Sequence, residues 1–200
     1  MELLKFILPG CVARPVRRGG LLLLVAVAGL AGARAENKPA PAAISAEYRV
    51  KAGFLFNFLQ FVEWPERAFS AAQAPIVIGV LGEDPFDGYL DELVQGEKVG
   101  ERPIVVRRFR RGEDIAECHI LFISGSEAGQ FANIMPALAG RSILTVGDGD
   151  GFVRAGGMVR FAIENGKIRL RINPDAAKAS GLAISSKLLR LATLVTPENG

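Results

Sequence analysis

The stretch YRVKAGFLFNFLQFVEWP, residues 48–65, decides how this chain folds, because it is rich in phenylalanine and carries few charges. At 100° per residue its polar side chains fall on one helical arc, and apolar residues fill the rest of the circumference. The polar arc holds Arg49, Asn57, Gln60 and Glu63. The uninterrupted apolar run is too short for a transmembrane helix, which needs roughly 20 apolar residues.

We therefore predict an amphipathic helix that Pro65 ends and whose wide apolar side packs on a sheet. Part of that side remains available to a second copy of the chain or to a partner, which would explain its breadth. Lys51 falls outside the polar arc, near the start of the helix, where a long side chain can carry its ammonium group to water.

Beyond this helix, short β-branched runs alternate with helix-like segments. Strands are predicted at residues 75–82, 102–109, 118–124 and 142–147. Asp84 is a plausible N-cap with Pro85 at the first helical position, and a second helix runs from Ser126 to Gly140. The alternation predicts a single-domain α/β sandwich with a mixed, largely parallel sheet flanked by helices.

The C-terminal third departs from the alternation, because residues 157–173 read as two strands joined by Asn165-Gly166, a strong hairpin signal. With a two-residue turn, residues whose numbers sum to 331 face each other. The pairs that then point to the core are Phe161 with Leu170 and Val159 with Ile172. A final helix over residues 185–195 is predicted to close the chain.

The same register places Arg160 opposite Arg171 on the other face of the hairpin, with Arg169 two residues along. Like charges in facing positions destabilise a sheet by up to roughly 1 kcal/mol per pair. An anionic group should compensate, and two sources remain open: acidic residues elsewhere in the chain, or a bound anionic ligand or partner.

Three loops are expected to share the carboxyl edge of the sheet, because each follows a predicted parallel strand. They are GEDP (82–85), SGSE (124–127) and GDGD (147–150). Ser124 and Ser126 either contact an anionic ligand at this edge or simply cap the helix that follows.

No catalytic constellation emerges from the sequence. His119 is the only histidine, lies in an apolar strand, and has no neighbouring His or Cys with metal-ligand spacing. The GDGDG run starts like a calcium loop, but counting from Asp148 the twelfth position is Val159 and not a glutamate. Cys118 is either a buried, inert thiol or a bridge between two copies. We expect no enzyme activity, no cofactor and no bound metal.

The N-terminus is typical of an export signal. Basic residues precede an apolar run from Leu21 to Ala31, and Ala33-Arg34-Ala35 offers a small-x-small cleavage site. We predict a signal peptide over 1–35 that is cleaved near Ala35, a tether over 36–46, one domain over 47–195 and a tail over 196–200. The 165 residues after Ala35 hold 19 basic and 20 acidic residues, a net charge of −1, so nucleic-acid binding loses its support.

The helical stretch at 48–65 closely resembles the first helix of the YfiR family of small periplasmic proteins. The likeness extends over nearly all of residues 47–195, in the same order. It is carried by PIVIGVLGEDPF (75–86), RPIVVRRF (102–109), CHILFIS (118–124) and the run from 142 to 192.

This resemblance implies a periplasmic α/β regulator without catalytic residues. Its best-understood members bind the periplasmic part of an inner-membrane diguanylate cyclase and repress it, while a peptidoglycan-associated outer-membrane lipoprotein draws the regulator away. It also implies a homodimer and an effect on cyclic di-GMP and biofilm formation. Some members contain disulfides, and this chain departs from them, because Cys118 has no partner after processing. The alternative is a periplasmic binder of a small anionic ligand or cell-wall fragment.

Overall fold

The computed structural model describes residues 44–110, 115 and 118–196. The predicted signal peptide, residues 36–43 of the predicted tether and residues 197–200 of the tail lie outside this range. No helix in the described ranges combines the length and the apolar character needed to cross a bilayer.

Ten strands and five α-helices build the described part of the chain. The strands are β1 (Val62–Glu63), β2 (Ile76–Leu81), β3 (Lys98–Val99), β4 (Arg102–Phe109), β5 (Ile120–Ile123), β6 (Leu144–Gly147), β7 (Val159–Glu164), β8 (Lys167–Ile172), β9 (Ala183–Ile184) and β10 (Thr193–Leu194). The helices are α1 (Ala46–Phe61), α2 (Tyr89–Val94), α3 (Phe131–Leu138), α4 (Pro174–Ala179) and α5 (Ser186–Leu189). Short 3₁₀ helices cover Glu66–Ala68 and Gly125–Gln130.

Eight strands form one sheet in the order β10-β8-β7-β6-β5-β2-β4-β3. The neighbours β2, β4, β5, β6 and β7 run parallel, β10 runs parallel to β8, and the β7–β8 and β3–β4 pairs are antiparallel. The prediction of a mixed, largely parallel sheet in an α/β domain is confirmed.

The β7–β8 hairpin has the predicted register. Phe161 faces Leu170, Val159 faces Ile172 and Arg160 faces Arg171. Asn165 and Gly166 both have positive φ, as a two-residue type I′ turn requires. The local turn therefore sets which side chains reach the core.

Helices cover both faces of the sheet, so the core has two layers. On one face α1 and α2 pack over the sheet through Leu55, Phe58 and Leu90. On the other face α3 and the turn after β6 pack through Phe131, Met135 and Phe152. Phe54 of α1 lies against the rings of Phe58 and Phe161, which assigns it to the first layer.

Helix α1 begins at Ala46, where Ser45 accepts a hydrogen bond from the backbone N–H of Tyr48. It ends at Phe61, and the prediction that Pro65 ends it is wrong by one turn. Val62 is already extended because β1 pairs antiparallel with β9, placing Val62 opposite Ile184. A long-range strand pairing ends this helix before the proline does.

Three other predicted helix boundaries differ from the structure. The segment predicted as one helix from Ser126 to Gly140 is a 3₁₀ helix over Gly125–Gln130 followed by α3 over Phe131–Leu138. Asp84 caps a turn by accepting from the backbone N–H of Phe86, and α2 begins only after Gly88, which adopts a left-handed conformation. The final helix covers Ser186–Leu189 and not 185–195, because Thr193–Leu194 forms β10 beside β8. Pairing with the sheet edge outweighs the helical pattern at this end of the chain.

Candidate functional site

The loops after β2, β5 and β6 meet at the carboxyl edge of the parallel strands. The Ser126 hydroxyl accepts from the backbone N–H of Glu83 at 3.0 Å, which joins the first loop to the second. The Ser124 hydroxyl accepts from the backbone N–H of Ser126 at 3.4 Å and caps the 3₁₀ helix. The third loop lies close by, since a Cβ on Gly125 would be 3.5 Å from Asp148 Oδ1. Both serine hydroxyls therefore have structural partners, and a ligand role for them stays a prediction.

A buried ion pair ties helix α1 to the loop after β6. Lys51 is only 2 % exposed, and its Nζ lies 2.6 Å from Asp148 Oδ2 and 2.5 Å from Glu47 Oε1. The Tyr48 hydroxyl donates to the same Asp148 oxygen at 3.0 Å. The expectation that Lys51 reaches water is wrong: its ammonium group meets a carboxylate that is 97 residues away in sequence and itself 9 % exposed.

This arrangement also holds Tyr48 protonated. Burial raises the pKa of Tyr48 to about 12, and the negative charge of Asp148 and its hydrogen bond act in the same direction. The hydroxyl is therefore a hydrogen-bond donor at every physiological pH, and the cluster fixes Asp148 as the acceptor of two donors.

An open pocket of about 400 Å³ adjoins this cluster, and we call it the edge pocket. Its walls include Glu47, Lys51, Asp148, Asp150, Arg160 and Ile163. Arg160 forms an ion pair with Asp150, which is 97 % exposed, whereas the arginine side chain is only 14 % exposed. The buried Arg160 Nε has no hydrogen-bond partner among the described residues.

The three predicted arginines do not converge on one site. Arg160 belongs to the edge pocket, Arg171 pairs with Glu164 at 3.0 Å, and Arg169 lies exposed opposite Ala162. Acidic residues of this chain thus compensate the facing pair, which was one of the two sources left open. An anionic ligand at these arginines stays a prediction, and the carboxylates around the edge pocket weigh against it.

Comparison with known proteins identifies the family. The YfiR/HmsC-like family model matches residues 48–193, which is more than half of the chain. The chain belongs to the YfiR/HmsC-like family. A search of curated proteins found no match to this sequence.

His119 occupies a structural position in the YfiR/HmsC-like domain. It is buried, and its Nδ1 accepts from the backbone N–H of Val77 at 3.1 Å. Its ring stacks on Phe69, and its carbonyl accepts from the indole N–H of Trp64. Its Nε2 is buried without a hydrogen-bond partner among the described residues. The ring therefore holds the segment before β2 against β5.

Acid should destabilise this domain through His119. Burial lowers the pKa of His119 to about 4, the charge of Arg102 adds to the lowering, and an interaction with the Ala68 backbone partly opposes it. The unfolded chain binds the proton first, with a pKa near 6.5, so the stability from neutral His119 is present above that pH and is lost as pH falls toward 4. We expect the free energy of unfolding to fall between pH 7 and pH 4.5 by about 2 kcal/mol less in His119→Asn than in the wild type. The asparagine keeps a hydrogen-bond acceptor for the backbone N–H of Val77. Urea unfolding at both pH values measures this, and parallel pH profiles would refute it.

Cys118, the residue before His119, is buried. Its thiol donates to the Ile120 carbonyl at 2.8 Å, and burial raises its pKa to about 12. In a chain that begins at Glu36, Cys118 is the only cysteine. We expect its reaction with Ellman's reagent to be at least about 100-fold slower in the folded protein than in urea, because the thiolate form and access are both suppressed. Rapid labelling without denaturant, or a disulfide-linked dimer on a non-reducing gel, would support the bridge between copies instead.

Proposed function

We propose that this chain is a periplasmic regulatory binding protein that represses an inner-membrane diguanylate cyclase, or a similar membrane sensor, by binding its periplasmic domain. Membership of the YfiR/HmsC-like family is the observation that carries the proposal, because the best-understood members of this family are regulators. Binding would stabilise an inactive arrangement of the sensor and so shift its population away from the active state.

The exposed apolar side chain of Ile163 and the charged lining of the edge pocket support a binding role. In residues 44–110, 115 and 118–196, no group of three or more His, Cys, Asp or Glu side chains is placed to hold a metal ion. The one histidine is buried and occupied by backbone and aromatic contacts, so it offers no base to a nucleophile. The charged residues of the edge pocket are paired with each other, and the exposed apolar side chain of Ile163 lines the same pocket.

The proposal includes three finer points. The chain is exported and cleaved near Ala35, it forms a homodimer, and a peptidoglycan-associated outer-membrane lipoprotein competes with the sensor for it. Support for export comes from the N-terminal pattern, and support for the partners comes from the family.

Deleting the gene is expected to raise cellular cyclic di-GMP several-fold, because the cyclase loses its repressor. Mass spectrometry of nucleotide extracts measures the change, and a plasmid copy of the gene should restore the original level. A plasmid copy lacking residues 1–35 is the matched control and should fail to restore it. An unchanged cyclic di-GMP level across growth conditions would count heavily against the proposal, and in vivo crosslinking would then show which membrane protein is bound.

A further inference from the structure

The edge pocket exists because two neighbouring strands have unequal lengths. Strand β6 ends at Gly147, and β7 pairs with it only at Val159 and Arg160. Strand β7 continues to Glu164. Within the described part of the chain, the edge of β7 beyond Arg160 therefore faces the edge pocket and not another strand.

The hairpin register determines which backbone groups face this gap. The backbone N–H of Asn173 donates to the Met158 carbonyl at 2.8 Å, so even-numbered residues of β7 form the hydrogen-bonded pairs with β8. In an antiparallel pair the residues between them direct their N–H and C=O groups to the opposite side. The backbone N–H and C=O of Ile163 therefore point into the edge pocket.

The charges that the edge pocket presents to water are negative. Asp150 is 97 % exposed and Glu47 is 42 % exposed. The two cations, Lys51 and Arg160, are withdrawn into the protein and paired with these carboxylates and with Asp148. Next to the carboxylates, the Ile163 side chain is 54 % exposed, on the face of β7 that it shares with Phe161.

We propose that the edge pocket binds an extended segment of a partner protein as an added strand beside β7, and that this segment alternates apolar and basic residues. Backbone hydrogen bonds to Ile163 would provide affinity, as in other cases of strand addition. Alternate side chains of a strand point to opposite faces, so one set covers Ile163 and the other meets Asp150 beside Arg160. This inference rests on the proposed function, since it describes how a protein partner is held.

Two other candidates for the segment that fills the edge pocket fit less well: the chain's own residues 36–43 and a second copy of the chain. Residues 36–43 of this chain contain Pro39 and Pro41, and a proline has no N–H to donate to a strand ladder. A second copy that paired through the same edge would bring Asp150 and Glu47 of both copies together, and facing like charges are destabilising.

Two capped peptides test the proposal on the protein purified from cells that produce the full chain. The first has the sequence Val-Lys-Val-Lys-Val and the second Val-Glu-Val-Glu-Val. Titration followed by amide NMR should show the lysine peptide perturbing Ile163 and its neighbours in β7 and the loop after β6. We expect it to bind at least about tenfold more tightly than the glutamate peptide at low salt, since lysine side chains are attracted to the surface carboxylates and glutamate side chains are repelled by them.

Proline variants separate strand addition from simple charge attraction. Ile163→Pro removes the N–H that faces the edge pocket and leaves the β7–β8 hydrogen bonds intact. Ile168→Pro is the matched control, because Ile168 faces Ile163 in the register and directs its N–H to the other side of the hairpin. We expect Ile163→Pro to weaken binding of the lysine peptide at least about tenfold and Ile168→Pro to change it less than about twofold.

Three results would overturn the proposal: equal binding of the two peptides, amide perturbations that map away from β7, or equal losses in the two proline variants. Binding that appears only after residues 36–43 are removed would assign the edge pocket to the chain's own segment, and a dimer that Ile163→Pro dissociates would assign it to a second copy. If Ile163→Pro fails to fold, the NMR map of the wild type still decides whether the lysine peptide binds along β7. An unchanged cyclic di-GMP level in the deletion strain would leave these binding results standing, so the two failures are distinguishable.

Discussion

Lys51→Met is expected to destabilise the domain by about 3–5 kcal/mol, the cost of leaving one member of a buried ion pair without its partner. Asp148 is almost completely buried and would retain only the Tyr48 hydroxyl as a donor. Glu47 is more exposed and can turn to water, so the loss at Asp148 dominates. Urea unfolding followed by far-UV circular dichroism measures the change.

The double variant Lys51→Met with Asp148→Asn should recover part of this loss, because it removes the unpaired charge together with its partner. A double-mutant cycle then isolates the interaction between the two side chains. Arg171→Met is the matched control, since its ion pair with Glu164 is on the surface and such pairs contribute at most about 1 kcal/mol. Equal effects of Lys51→Met and Arg171→Met would contradict the assignment of the buried pair as a main attachment of α1.

Gly157→Ala is expected to destabilise the domain by about 3 kcal/mol, because the added methyl group has no room. A Cβ at Gly157 would lie 2.2 Å from the ring of Phe152, which is fully buried. The ring cannot move away easily, because Phe131 packs against it on one side. It also lies so close to Gly147 that a Cβ built on that glycine would be 2.7 Å from the ring. Overpacking of this kind forces side chains and backbone to shift.

Thermal and urea unfolding test this prediction against Gly129→Ala, whose added methyl group would meet no atom within 4 Å. The control should change the free energy of unfolding by less than about 0.5 kcal/mol. Combining Gly157→Ala with Phe152→Leu should cost less than the two single losses added together, because the smaller side chain relieves the clash. If Gly157→Ala is as mild as the control, the turn between β6 and β7 is more adaptable than its packing indicates.

Several features of the fold follow from local sequence patterns. The alternation of β-branched runs with helical segments predicts the parallel strands, because each run is bounded by its own turn and capping residues. The hairpin register follows from Asn165-Gly166 alone, since a two-residue turn leaves one pairing and one set of inward side chains.

The early end of α1 and the short C-terminal helix share one physical origin, which is contact between distant parts of the chain. Helix α1 ends early because β1 pairs with β9, and the C-terminal helix is short because Thr193–Leu194 pairs with β8 at the sheet edge. Neither pairing leaves a signal in the neighbouring residues. The helical positions of Tyr48 and Lys51 in an apolar surrounding could have suggested a buried polar cluster, but not its partner.

By itself the sequence determines the α/β class, the hairpin register and the family, because all three depend on periodicity, turn residues and ordered motifs within short windows. Only the tertiary structure decides that Lys51 is buried against Asp148 and that β7 extends beyond the end of β6, which leaves the edge pocket. The physical reason is that burial and strand overlap depend on which distant segments meet, and short windows of sequence do not contain that information.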